Sequence, residues 1–245
     1  VKNSIKTFTP LFIIKIYRYL YHQFYYPLQN ILKFYYVQRV KGFPISEIPF
    51  FDPLSFEYYV EKLKSSEQYL EYGSGGSTYY AAKLGKSFMT VDSDRFFLKD
   101  VLKKIKRDKL SNAANQKFIH AHIGLTKAWG LPVFTSKYQN RLKRWSNYSE
   151  SPWNRDIKVL PDLVLIDGRF RVACALKSIK NLQGKNSWTI LVDDYAGRPE
   201  YKDIELFATL EKLVGSMAVF KERPNIDFGK LESAIKKYEL DFVSI

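Results

Sequence analysis

The chain has 245 residues, 46% of them hydrophobic and 16% aromatic, with a net charge of +14 and one cysteine, Cys174. That length and apolar fraction suit one sizeable core and exclude a chain that is disordered over most of its length. A single cysteine excludes an intramolecular disulfide framework and fits a reducing compartment; Cys174 itself reads as a small buried hydrophobe.

The charge is uneven along the chain. Between Val1 and Ser46 there is no acidic residue, and Lys2, Lys6, Lys15, Arg18, Lys33, Arg39 and Lys41 supply half of the excess. An all-basic stretch implies an anionic neighbour, such as a membrane surface, a nucleic acid or an acidic glycan, or else a solvated face that aids solubility. Residues 11–37 are rich in Phe, Tyr, Ile and Leu, but Lys15, Arg18 and Pro27 interrupt them, so neither a membrane-spanning helix nor a cleavable leader is expected. On a helix, Lys15, Arg18, His22, Gln29 and Lys33 form one polar stripe on an apolar, aromatic surface. Such a surface predicts packing within the protein, a homodimer, or peripheral membrane contact through residues 1–41. The expected location is cytoplasmic, with membrane association as the alternative.

Gly42 to Pro49 reads as a connector, and Asp52-Pro53 as a helix start. The chain thus divides into a basic, aromatic helical extension, 1–51, and a second domain, 52–245. After a helix carrying Phe56, Val60 and Leu63, strands are predicted at Gln68–Tyr72, Phe88–Asp92, Lys117–Ile123, Asp162–Asp167 and Ser187–Asp193. Helices are predicted between them at Ser77–Leu84, Arg95–Arg107 and Arg169–Leu182. Alternation of this kind implies an α/β fold, a Rossmann-like, doubly wound, mostly parallel sheet.

An insertion, Gly124–Leu160, interrupts the pattern with no obvious structure. It carries Trp129, Trp145 and Trp153 among Lys137, Arg141, Lys143, Arg144 and Arg155. Aromatics interleaved with cations suit stacking on a sugar or base beside an anion, and a basic insertion held down by its tryptophans fits the same residues. Beyond Asp194 the expected elements are a helix at Tyr201–Leu213, a strand at Met217–Phe220, a helix at Leu231–Tyr238 and a closing strand at Asp241–Ile245.

The stretch Tyr69-Leu-Glu-Tyr-Gly-Ser-Gly-Gly-Ser-Thr78 organises the second domain. Glycine at 73, 75 and 76 lets the backbone approach a ligand, and Ser77 and Thr78 can cap the helix that follows. A dinucleotide fingerprint would place glycine where Thr78 stands. Glu71 puts a negative charge before the turn, which suits a cationic ligand better than a pyrophosphate.

With those residues in view, Glu71-Tyr-Gly-Ser-Gly-Gly resembles the first motif of class I S-adenosylmethionine-dependent methyltransferases, over residues 52 to about 220. The resemblance implies that Glu71, Gly73, Ser74, Gly75, Gly76 and Ser77 cradle S-adenosylmethionine. It gives Asp92 the ribose, with Asp94 as a nearby alternative. Where such enzymes often carry an acidic or amide residue after the third strand, this chain has His120 and His122, which fit packing or an adenine pocket better than a metal.

Strands ending in Asp167 and in Asp193-Asp194 bring three carboxylates to the same rim, where a divalent cation or an arginine must sit among them. This arrangement is similar to the catechol and macrocin O-methyltransferase branches, which implies magnesium held by Asp167, Asp193 and Asp194. Alternatively Arg169, Arg171 or Arg198 pairs with them and Asp167 is the general base. The stretch IDGRFRVACAL also resembles bacterial methyltransferase-like proteins associated with surface polysaccharides. The expected function is therefore methyl transfer from S-adenosylmethionine to an oxygen of a glycan or other polyhydroxylated small molecule. A non-catalytic module binding membrane or nucleic acid, and a nucleotide-sugar or NAD-linked enzyme, are the alternatives. Nucleic-acid methylation is disfavoured, because no proline-aromatic motif follows the fourth strand.

Overall fold

A computed structural model describes residues 26–155, 157–185 and 187–242, together with 15, 18, 19 and 21. The chain forms two compact units, with the boundary between Gly42 and Phe43. The described part of the first unit is helix α1, Tyr26–Tyr36, continued by a π-helical turn, Val37–Lys41. Pro27 lies within the described part of α1. Of the predicted polar stripe, His22 lies outside the described residues, while Lys15 and Arg18 are described and exposed.

The second unit is built on one seven-stranded sheet in the order β3-β2-β1-β4-β5-β7-β6. Its strands are β1 Gln68–Tyr72, β2 Ser87–Asp92, β3 Gln116–His120, β4 Leu163–Ile166, β5 Thr189–Val192, β6 Ala208–Val214 and β7 Met217–Glu222. Strands β3, β2, β1, β4 and β5 are parallel, and β7 runs antiparallel between β5 and β6. Among the described residues, six α-helices belong to this unit: α2 Pro53–Ser65, α3 Gly76–Lys83, α4 Arg95–Arg107, α5 Gln139–Glu150, α6 Arg171–Leu182 and α7 Phe228–Tyr238.

Period-two alternation sends neighbouring strand residues to opposite faces. Leu70, Tyr72, Val164, Ile166, Ile190 and Val192 join one core cluster with Trp145 and Tyr148 of α5, the buried face of α6, and Leu231 and Ile235 of α7. Tyr69, Leu163, Leu165 and Leu191 face the other way, onto Tyr59 and Leu63 of α2, Ala81 and Ala82 of α3, and Val101 and Ile105 of α4. Asp52, read as a helix start, accepts from the N–H groups of Leu54 and Ser55, and Asp94 caps α4 by accepting from those of Phe96 and Phe97.

Three expectations are corrected. Tyr201–Leu213 is not one helix: a 3-10 segment, Pro199–Leu206, gives way to β6. Glu, Lys and Leu favour a helix there, but the Gly215-Ser216 turn folds the segment back onto β7, and tertiary pairing overrides propensity. The Asp52 carboxylate accepts from Ser216 N at 3.0 Å and fixes that turn to the start of α2. The insertion is not structureless, since α5 lies within it and delivers Trp145 to the core. At the C-terminus Asp241 and Phe242 are not in a strand; the Phe242 ring packs 4.9 Å from that of Trp145, and residues 243–245 lie outside the described residues.

Candidate active site

The strand order reverses between β1 and β4, and at such a point an open parallel sheet leaves a crevice at the strand ends. The glycine turn, the β2 end and the β4 end meet here. Gly73 N donates to Val91 O at 2.8 Å and Asp167 N to Tyr72 O at 2.9 Å, so the turn is gripped by both neighbours. Gly73 has φ +99°, and a Cβ on it would stand 2.7 Å from Gly168 Cα. Both the backbone sign and the close approach therefore require glycine. At Gly76 a Cβ would collide with the Ile48 carbonyl, because the connector lies across the start of α3.

Glu71 lies beneath the turn, fully buried, rather than on its outer face. Ser77 Oγ donates to one carboxylate oxygen and Thr78 Oγ1 to the other, the latter at 2.5 Å. Thr78 Oγ1 also accepts from Gly75 N at 2.9 Å, and Tyr59 of α2 donates to Ser77 O at 3.1 Å. Thr78, standing where a dinucleotide fingerprint has glycine, thus couples the backbone of the turn to Glu71. Burial pushes the Glu71 carboxyl up from 4.5 to about 7, against the pull of those hydroxyl bonds.

Because that folded value exceeds the unfolded one, the stability from Glu71 is full below pH 4.5 and is lost as pH rises through 7. Glu71→Gln is expected to remove that dependence while keeping an acceptor for the hydroxyls. Glu71→Ala leaves two buried hydroxyls without an acceptor and is expected to cost about 2–4 kcal/mol. Urea unfolding from pH 4.5 to 8 checks both; a pH dependence that survives Glu71→Gln assigns it to another group.

Asp92, at the end of β2, accepts from Ser74 N at 3.0 Å, from Ser74 Oγ at 2.7 Å and from Asp94 N at 2.8 Å. It ties the tip of the turn to the second strand, with burial raising its pKa. Asp94 caps α4. His120 and His122 stand with ring centroids 5.8 Å apart, and the His120 Nε2 lies 3.3 Å from Ser93 O. Burial holds His120 below the usual histidine range.

Across the crevice, Arg171 organises the three aspartates. Its guanidinium is buried and donates to Gly168 O at 3.1 Å, Asp193 O at 2.7 Å, Asp194 Oδ2 at 3.0 Å, Asp167 O at 3.2 Å and Asp167 Oδ1 at 3.0 Å. Arg198 adds a second cation to Asp194 Oδ2 at 3.3 Å. Asp193 accepts from Ser216 Oγ at 3.4 Å and lies against the Asp167 carboxyl. Burial raises Asp167 most, the Arg171 charge opposes it, and Asp193 and Asp194 raise it further. Burial and Asp194 likewise raise Asp193. Asp167 and Asp193 therefore behave as a pair that holds a proton well above the ordinary carboxylate range.

These residues do not fit a divalent cation. A guanidinium stands between Asp167 and Asp194, where the metal would have to sit, and among the described residues no group of three or more His, Cys, Asp or Glu side chains is disposed to hold a metal ion. The arginine alternative is the one that the structure realises, through Arg171 and Arg198 rather than Arg169.

The insertion contributes a small finger. Val133 N donates to Leu125 O and Lys127 N to Leu131 O, both at 2.8 Å, with Trp129 at the tip. Ser93 Oγ donates to Gly130 O at 3.0 Å and pins the finger to the β2 end. Trp129 has φ +64° and is 83% exposed. The other two tryptophans are structural: Trp145 is buried, and Trp153 Nε1 donates to Tyr72 OH at 2.8 Å. Sequence reasoning did not find the Ser93 strut, the Ile48 carbonyl over Gly76, or Tyr148, whose hydroxyl lies against Gly168 and accepts from Arg169 N. Each is a contact between distant segments that carries no local signal.

No family model matches the chain, and no curated protein matches it. Among solved structures, a methyltransferase-like protein from Silicibacter pomeroyi is 30% identical, with a TM-score of 0.69 over 80% of this chain and 100% of that one. An O-methyltransferase from Bacillus cereus in complex with SAH is 15% identical, with a TM-score of 0.44 over 85% of this chain and 97% of that one. TomG, an O-methyltransferase from Streptomyces achromogenes in complex with SAM, is 14% identical, with a TM-score of 0.44 over 78% and 87% of the two chains. At that level the last two bear on nothing further. The chain belongs to the family of the methyltransferase-like protein from Silicibacter pomeroyi, with a Rossmann-like methyltransferase fold.

Proposed function

We propose that the protein moves a methyl group from S-adenosylmethionine to a hydroxyl oxygen of a glycan or another polyhydroxylated small molecule. The observation that carries this reading is the raised Asp167–Asp193 pair, held by Arg171 at a strand end whose Gly168 backbone packs directly on the glycine turn. In this reading the pair supplies a base beside the crevice where S-adenosylmethionine would lie.

Ser74, Gly75 and Gly76 on the outside of the turn, with Asp92 beside them, would hold the cofactor, while Glu71 and Thr78 keep the turn in shape from beneath. When bound, S-adenosylmethionine supplies an electrophilic methyl carbon on a sulfonium. Asp167 takes the acceptor's hydroxyl proton as the oxygen becomes the nucleophile, and Arg171 stabilises the aspartate before the proton arrives. Exposed Trp129, in a backbone region costly for a bulky residue, offers a flat face on which a sugar ring can stack.

Calorimetric titration of S-adenosylmethionine into the full chain tests the cradle. Asp92→Ala is expected to weaken binding about 10- to 100-fold, the value of a hydrogen bond to a charged group. No heat from the intact protein would sink this reading. Transfer to a panel of glycans, unchanged by a chelator, then tests the metal-free route.

A further inference from the structure

The first unit of the chain takes no part in the proposed chemistry, and its described surface has a character of its own. Leu32, Tyr36 and Val40 follow one another at steps of four through α1 and the π-helical turn, and they are 59%, 58% and 71% exposed. That spacing sets them in one stripe along the helix. Lys33 and Lys41 are exposed along one flank, and on the other Arg39 stacks over the Tyr35 ring at 5.3 Å. Tyr19, with Lys15 and Arg18, repeats the combination of exposed aromatic and exposed cation upstream. The first carboxylate of the chain is Glu47.

Three occupants compete for such a stripe. A second copy would set an all-basic segment against its like, with no acidic residue between Val1 and Ser46 to offset the repulsion. A nucleic acid would meet the cations and leave Leu32 and Val40 in water. A bilayer with anionic headgroups satisfies both, since apolar side chains enter the headgroup–acyl boundary while flanking lysines meet lipid phosphates. No described helix is long and apolar enough to cross a membrane. We propose that this segment docks the protein on an anionic lipid surface, with Leu32, Tyr36 and Val40 inserted and Lys33 and Lys41 at the headgroups.

The test is co-sedimentation of the full chain with phosphatidylcholine vesicles, with and without phosphatidylglycerol, at low and high salt. Binding is expected only with phosphatidylglycerol and is expected to weaken as salt rises. Lys33→Gln with Lys41→Gln should lower partitioning roughly 30-fold, at about fivefold for each basic residue. Leu32→Ser with Val40→Ser should lower it roughly tenfold or more through lost apolar burial. Both variants should keep the parent's unfolding midpoint and its affinity for S-adenosylmethionine, which separates this proposal from the transfer reading. It is overturned if vesicles are not bound, if neutral vesicles bind equally, or if either variant binds like the parent. A dimer that Leu32→Ser with Val40→Ser dissociates overturns it in favour of a second copy. Oligonucleotide binding without vesicle binding, unchanged in Leu32→Ser with Val40→Ser, overturns it in favour of nucleic acid.

Discussion

Replacing Arg171 with methionine is expected to destabilise the fold by about 3–5 kcal/mol, the range for breaking a buried ion pair from one side. That is a large share of the roughly 5–15 kcal/mol that holds a typical domain folded. The guanidinium makes five hydrogen bonds from a buried position, three of them to main-chain oxygens at the ends of β4 and β5. Methionine fills the volume and makes none, leaving Asp167 and Asp193 without the cation that opposes the repulsion among the three aspartates, while Asp194 keeps Arg198. The deficit should depend on pH in a definite direction. Without Arg171 the folded pKa values of the pair rise further above their unfolded values, so the stability they contribute is present below the ordinary carboxylate range and is lost as pH rises. Urea unfolding should therefore show a smaller loss at pH 5 than at pH 8. A loss below 1 kcal/mol, or one that is flat with pH, would mean that the aspartates are satisfied in some other way. Arg171→Lys restores a charge but not the planar fork, and should recover only part of the loss.

Substituting Asp167 with asparagine should lower methyl transfer about 10²- to 10⁴-fold, the usual contribution of a positioned general base. Affinity for S-adenosylmethionine should stay within about threefold, because asparagine still offers Arg171 an acceptor and leaves the Gly168 backbone against the turn. The pH profile carries the diagnosis. A base must be deprotonated to act, and burial together with two neighbouring carboxylates raises this one while Arg171 lowers it. Parent activity should rise with pH through an inflection well above the ordinary aspartate value of about 4, and that inflection should vanish in Asp167→Asn. Full activity in the variant would place the base elsewhere on the rim.

How much of this was legible beforehand depends on how far apart the partners lie in sequence. Strand β1 and helix α4 fall where the sequence pattern puts them, since a short buried run and a helical pattern are local signals. The segment 201–213 misled because its composition favours a helix, while the partner that makes it a strand, β7, arrives only after the Gly215 turn. Among the candidate site residues, the glycine turn and Asp92 are picked out by the resemblance to the methyltransferase motif. The side of the turn on which Glu71 lies could not be read, because it is set by Ser77, Thr78 and Tyr59 together. The three strand-end aspartates were visible, and the choice between a cation and an arginine was not. Arg169, Arg171 and Arg198 each lie within four residues of one of the aspartates, and no local signal marks Arg171, at the start of α6, as the one buried among them.

The connector between the two units has a practical consequence. Sequence alone places the start of the second domain at Asp52, yet Phe43 N donates to Asp100, Glu47 pairs with Lys104, and the Ile48 carbonyl closes over Gly76. A chain shortened to begin at Asp52 would keep every strand and helix of the sheet and still lose the strap that backs the glycine turn. Anyone trimming this protein to its enzymatic part should cut before Phe43, and a shortened form that folds but fails to hold S-adenosylmethionine would point to that strap before the turn itself.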